Sequence, residues 1–232
     1  EDISPDRYFS ELMELSEKYK ELSGGAFDVC SGPLFDIWGF GFTSDSLPSD
    51  DAIQKAMQAC RDGKVLNFNA IAQGYSCDVI AGYLHSIGVK DMLVDIGEIY
   101  CEGLNPSGKG WTIGVDNPVD GNNSPGKDLK GIWHSDGSGC GIVTSGNYRK
   151  FYIKDGKKYA HTIDPRTGYP VQHNLLSATV VAPTAAEADA IATACMVLGA
   201  EDAGSLIESL DGVEAYLICS DGTWKSGGFN LE

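Results

Sequence analysis

The stretch from Pro183 to Gly199, PTAAEADAIATACMVLG, marks both ends of a helix and so constrains what can surround it. Thr184 is placed to cap the N-terminus, and Glu187, three residues on, completes a capping box. Gly199 closes the helix. Within it Asp189 and Thr193 are four residues apart and share one face. Their neighbours there are Ala185, Ala192 and Met196, which predict a buried, closely approached surface. A carboxylate on such a face needs a partner, because an unpaired buried charge is costly. Two accounts stay open. Asp189 serves a helix N-terminus or meets an Arg, or carboxylate and hydroxyl together begin a hard-metal site. Mg2+ takes one or two protein carboxylates and fills its other positions with waters and substrate phosphates.

The rest of the chain supplies strands in hairpins and separate helices. Ser4-Pro5 predicts a helix start. Tyr8, Leu12, Leu15, Tyr19 and Leu22 form its apolar stripe, and Gly24-Gly25 ends it. A short helix is expected after Ser49 with Ile53, Met57 and Cys60 inward, another from about Ala70 to Ile87, and a last one around Gly204–Leu210. Strands are expected at Met92, Gly110, Lys130, Gly141 and Leu176, and a hairpin turns at Asp155-Gly156. This order predicts an α+β fold, largely antiparallel sheets with flanking helices, rather than a βαβ series. With 232 residues, 42% of them hydrophobic, the chain suits one domain spanning 1–232. It opens almost directly on a helix, at a Glu1 that is not a natural start, so a preceding segment is expected to be missing.

Charge narrows the partners. The 33 acidic residues outnumber 17 basic ones for a net charge of -16, which predicts no nucleic-acid binding. An anionic substrate would need a local cation or aimed backbone N–H groups. The seven scattered Cys, with no CxxC, indicate neither a disulfide framework nor a structural zinc site.

Three further segments carry chemistry. In LNFNAIAQGYSCDVIAGYL, from Leu66, Asn69 is a candidate cap and Gly74 permits a close backbone approach at a helix start, which is also an anion site. Asp78 lies off the apolar stripe, where solvation is its plainest account. In DGSGCGIVTSGNY, from Asp136, a strand follows the glycines, so a dinucleotide fingerprint is rejected and a bulge or close contact is expected. Thr144, Ser145 and Gly146 then offer hydroxyls and N–H groups. In YAHTIDPRTGYPV, Asp164-Pro165 suits a type I turn and Gly168 a left-handed residue. Turn chemistry leaves His161 unexplained, a strand residue sharing a face with Ile163.

Taken together, FDVCSGPLFDIWGF, NAIAQGYSCDVIAGYL, LVDIGEI, IVTSGNYRKF, YAHTIDPRTGYPV and AEADAIATACMVLG resemble, in order, the FAD:protein FMN transferases, the ApbE-like proteins. The likeness runs from about Phe27 to Gly199. It implies binding of FAD as substrate and of Mg2+, and transfer of FMN to a Thr or Ser of a target protein through a phosphoester, with AMP released. By resemblance Asp189, Thr193 and a backbone carbonyl near Ala70 hold the metal, and His161 is the catalytic base. Asp164 orients that region or approaches the metal. Arg166, Thr167 and Gly168 hold the loop or the substrate, and Asp78 and Thr144–Gly146 contact flavin. The resemblance also implies an exported, periplasmic or membrane-anchored lipoprotein, tethered through the missing N-terminus. The chain departs from the family at Gln73, often Lys, and at Gly97-Glu98, often two Gly. The same residues would serve a Mg2+-dependent FAD pyrophosphatase, and a flavin-binding protein without turnover is a third reading.

Overall fold

Helix α5 (Ala185–Leu198) lies at the centre of the molecule, and eleven of its fourteen residues are buried, too many for an amphipathic surface helix. Thr184 caps it by accepting from the Glu187 N–H, as the capping box predicts. The computed structural model describes residues 4–40, 47–119, 126–147, 151–154 and 157–232.

One face of α5 rests on a six-stranded sheet of order β1-β2-β5-β10-β11-β12. Its strands are β1 (Met92–Asp95), β2 (Ile99–Glu102), β5 (Cys140–Gly146), β10 (Leu175–Ala182), β11 (Glu214–Cys219) and β12 (Gly222–Lys225). Every described pairing is antiparallel, so the expected α+β class holds. The alternation of β10 explains the layering. Ala178, Val180 and Ala182 face α5 in the main core. Val181 packs with Ile142, Tyr216 and Ile218 on the opposite face, beneath the hairpin of β3 (Thr112–Asp116) and β4 (Leu129–His134). The seven cysteines are free, and most are buried as small core residues.

Helix α1 (Arg7–Leu22) brings Tyr19 into the main core, but Tyr8 and Leu22 at the ends of its stripe are exposed. Its cap is Asp6 and not Ser4, because the Asp6 carboxylate reaches the Phe9 N–H at 2.8 Å. A single turn (Val29–Ser31) leads into α2 (Gly32–Ile37). Against α2 lies α3 (Asp50–Arg61), which follows Ser49 as expected and is capped by it, with Ile53 and Ala56 buried and Met57 and Cys60 only half-buried. Helix α6 (Ala200–Glu208) starts four residues earlier than the sequence suggests.

Helix α4 (Ala72–Ser86) begins two residues later than expected. Asn69 does not cap it: its own N–H donates to Asn67, and Ile71 holds the cap position without a side-chain bond. Packing explains the close fit of α4 on α5. A Cβ at Gly74 would lie 2.2 Å from the Ala185 carbonyl oxygen, and one at Gly141 of β5 2.3 Å from Ala185 Cα. Of the glycines in the 136–146 segment, Gly141 thus meets a helix end and Gly139 the Tyr100 ring hydroxyl.

The remaining described strands are β6 (Phe151–Lys154), β7 (Lys157–Ala160), β8 (Ile163–Asp164) and β9 (Tyr169–Pro170). β6 pairs with β7 as the hairpin signal requires, while the turn residues Asp155 and Gly156 lie outside the described residues.

Candidate active site

A cavity of about 440 Å3 opens where α5, the start of α4, the end of β5 and the segment before β8 converge. Asp189 and Thr193 line it from α5, Ala70 and Gln73 from the turn into α4, Thr144, Ser145 and Gly146 from β5, and His161 from the chain between β7 and β8. The structure therefore brings together eight residues that the sequence scatters over 124 positions, from Ala70 to Thr193.

Asp189 is the buried charge that the helix spacing predicts, at 4% exposure. Its Oδ2 accepts from the Gly74 N–H at 3.1 Å. In a longer helix that N–H would turn to the Ala70 carbonyl. The late start of α4 leaves it a first-turn donor, and Asp189 satisfies it across the helix pair. Burial pushes the Asp189 carboxyl up to about 6, and the Gly74 N–H offsets part of that shift. Among the described residues no Lys or Arg pairs with it.

The cavity wall is acidic. Asp28, Asp36, Glu98 and Asp189 line it, and no described Lys or Arg does. Asp28 is paired outside the cavity with Lys20 at 3.0 Å. Among the described residues no group of three or more His, Cys, Asp or Glu is placed to hold a metal. Asp189, Thr193 and Ala70 bring one carboxylate, one hydroxyl and one backbone segment to this cavity. That donor set suits Mg2+, which keeps open positions for water and phosphate, rather than Zn2+.

His161 meets Phe40 edge-on, ring centroids 6.4 Å apart. Its neighbour Thr162 is also on the cavity wall, and Ile163 reaches both the cavity and the core around α2 and α3. Strict alternation from His161 to Ile163 fails because β8 starts only at Ile163.

Four of the expected site residues stand beside the cavity. Asp164, Arg166, Thr167 and Gly168 do not line the cavity; they build the loop beside it. The Asp164 carbonyl accepts from the Gly168 N–H at 2.8 Å, and its carboxylate takes the Arg166 guanidinium at 2.9 Å through both oxygens. Gly168 has φ 82°, the left-handed conformation its position predicts, and its carbonyl accepts from Trp38 Nε1. These residues hold the loop, and Pro165 alone of the turn reaches the cavity. Asp78 is likewise off the wall. Its two oxygens accept from the Ala185 and Ala186 N–H groups at 2.8 and 2.9 Å, so it caps α5 instead of standing in solvent. Burial raises its carboxyl, against the lowering effect of those two bonds.

Sequence reasoning missed Asp36 and Phe40, which lie in the quoted FDIWGF segment but carry no spacing signal. It also missed a buried pair behind the wall: Thr162 Oγ1 donates to Asn147 Oδ1 at 2.5 Å.

Comparison with known proteins places this arrangement. The profile of the ApbE family matches residues 1–217. The FAD:protein FMN transferase of Klebsiella pneumoniae (strain 342) is 34% identical over 245 residues, which cover 94% of this chain and 68% of that protein. The flavinyl transferase ApbE of Pseudomonas stutzeri, solved in its apo form, superposes with a TM-score of 0.79 at 33% identity, covering 95% of this chain and 72% of that one. The flavin transferase ApbE from Vibrio cholerae gives 0.83 at 28% identity, covering 97% and 77%. The family profile, the sequence identity and the superposed fold agree, and the chain belongs to the ApbE family.

Proposed function

We propose that the protein transfers FMN from FAD to a Thr or Ser hydroxyl of a target protein. The observation that carries this reading is the meeting of His161 with Asp189, Thr193 and Ala70 on one acidic cavity wall. A pyrophosphate cannot enter a wall of carboxylates without a counter-charge. Asp189, Thr193 and the Ala70 carbonyl would hold Mg2+, which when bound neutralises charge on the FAD pyrophosphate. The Thr144–Gly146 end of β5 supplies hydroxyls and N–H groups for the flavin half. His161 takes the proton of the attacking hydroxyl. The hydroxyl oxygen then bonds to the FMN phosphorus, the bond from that phosphorus to the bridging oxygen breaks, and AMP leaves with that oxygen.

The test is incubation of the protein with FAD, Mg2+ and a candidate acceptor protein, followed by a denaturing gel read for flavin fluorescence and by mass spectrometry of the acceptor. Covalent FMN on a Thr or Ser, abolished in His161→Ala, is expected. Release of free FMN and AMP alone would replace the transferase with an FAD pyrophosphatase. FAD binding without any product would leave a flavin-binding protein. Export and a membrane tether belong to the same proposal. Among the described residues no helix is long and apolar enough to cross a membrane, so fractionation of the full-length protein is the measurement that decides.

A further inference from the structure

We propose that Asn147 is a positioning residue for His161, acting through Thr162. This rests on the reading of His161 as the base. His161 and Thr162 fall between β7 and β8, where no strand ladder runs along them. Thr162 is fixed at two points. Its carbonyl accepts from the Val171 N–H at 3.1 Å, and its hydroxyl donates to Asn147 Oδ1 at 2.5 Å. Both side chains of that second bond are buried, Asn147 at 7% and Thr162 at 9% exposure.

Asn147 follows the Thr144–Gly146 wall directly, and its N–H donates to the Leu176 carbonyl of β10 at 3.0 Å. β10 is the strand on which α5 packs. One continuous path therefore runs from Asp189 on α5 through β10 and Asn147 to Thr162 and His161. It sets the distance between the base on one side of the cavity and the metal donors on the other. A base held loosely loses rate steeply, because a misplacement of about 1 Å costs on the order of a hundredfold. Asn147 itself does not line the cavity, so its replacement removes no contact with FAD.

The experiment compares Asn147→Leu and Asn147→Asp with Thr162→Val and Thr162→Ser. FAD affinity is measured by flavin fluorescence, kcat by FMN transfer or FMN release, and the His161 ring by its carbon–proton NMR signal, assigned by its loss in His161→Ala. Asn147→Leu and Thr162→Val are expected to lower kcat about ten- to a hundredfold, with FAD affinity within about twofold. In both, the single His161 signal broadens or splits. Asn147→Asp and Thr162→Ser, which keep an acceptor and a donor, stay within about threefold of the parent kcat. Equal losses in affinity and kcat, or an unchanged His161 signal in Thr162→Val, would overturn the proposal. Thr162→Val keeps the shape of the residue and decides the matter should Asn147→Leu not fold. If the parent protein turns over no FAD, the reading of His161 as base fails, and the NMR signal alone still judges whether Asn147 holds the ring.

Discussion

The N–H of Gly74 donates to Oδ2 of Asp189 across 3.1 Å, so the first turn of one helix is satisfied by a carboxylate buried on the next. The two residues also exclude any side chain between them. A Cβ at Gly74 would stand 2.8 Å from the Asp189 Cβ and 2.2 Å from the Ala185 carbonyl oxygen.

Gly74→Ala is accordingly expected to push α4 away from α5. The obstructing atoms are backbone, which cannot rotate aside. Overpacking of this kind costs about 1–3 kcal/mol, readable as a lower urea midpoint at unchanged slope. The same shift parts Ala70 from Asp189, so Mg2+ affinity should fall with stability. A variant as stable as the parent would mean that the helices can separate freely.

Asp189 gives a pH dependence whose sign is fixed. Its carboxyl titrates at about 6 in the folded protein against an ordinary 3.8, so the folded state holds the proton more tightly. The resulting stabilisation is full below about pH 4 and is lost as pH rises through about 6, a change of about 3 kcal/mol. In Mg2+-free protein, Asp189→Asn should flatten this window and raise the melting temperature near pH 7 while abolishing FMN transfer. Mg2+ should raise the melting temperature of the parent and leave that of the variant unmoved. Thermal melts at pH 5 and 7.5, with and without Mg2+, check both halves.

Asp78 separates capping from binding. Asp78→Ala strips two N–H groups of α5 of their acceptor and should lower stability by about 1–2 kcal/mol. FAD affinity per folded molecule should stay within about twofold, since Asp78 lies off the cavity wall. A selective loss of flavin binding, with stability intact, would return Asp78 to the site.

Gln73 lines the acidic wall and donates to the Ile96 carbonyl at 3.1 Å. A Lys there can keep that bond and add a positive charge beside the pyrophosphate. Gln73→Lys should therefore tighten FAD about three- to tenfold at low salt, with the gain shrinking as salt is added. Titration of FAD at two ionic strengths tests it; equal affinity at both would place Gln73 away from the phosphates.

Helix α5 was legible in the sequence because a capping box, a closing Gly and an i,i+4 pair are all local signals. So was the loop at Asp164, whose turn chemistry explained more than its reactive side chains did. What stayed hidden depends on partners distant in the chain. Asp78 meets Ala185 only after α4 docks on α5, and Thr162 meets Asn147 only once β5 and β8 are in place. The start of α4 was misjudged for a related reason. Asn69 has the right chemistry for a cap, but a tertiary acceptor, Asp189, serves that helix end instead.

Asp189 and Thr193 stand on the most buried helix of the fold, whose other residues are nearly all core. Heritable change is thereby channelled. A substitution in α5 meets selection twice, once for a folded chain and once for its chemistry, whereas the exposed outer faces of the β3–β4 hairpin, α1 and α3 meet neither test directly. Divergence is free to accumulate on those outer surfaces while helix α5 stays nearly fixed.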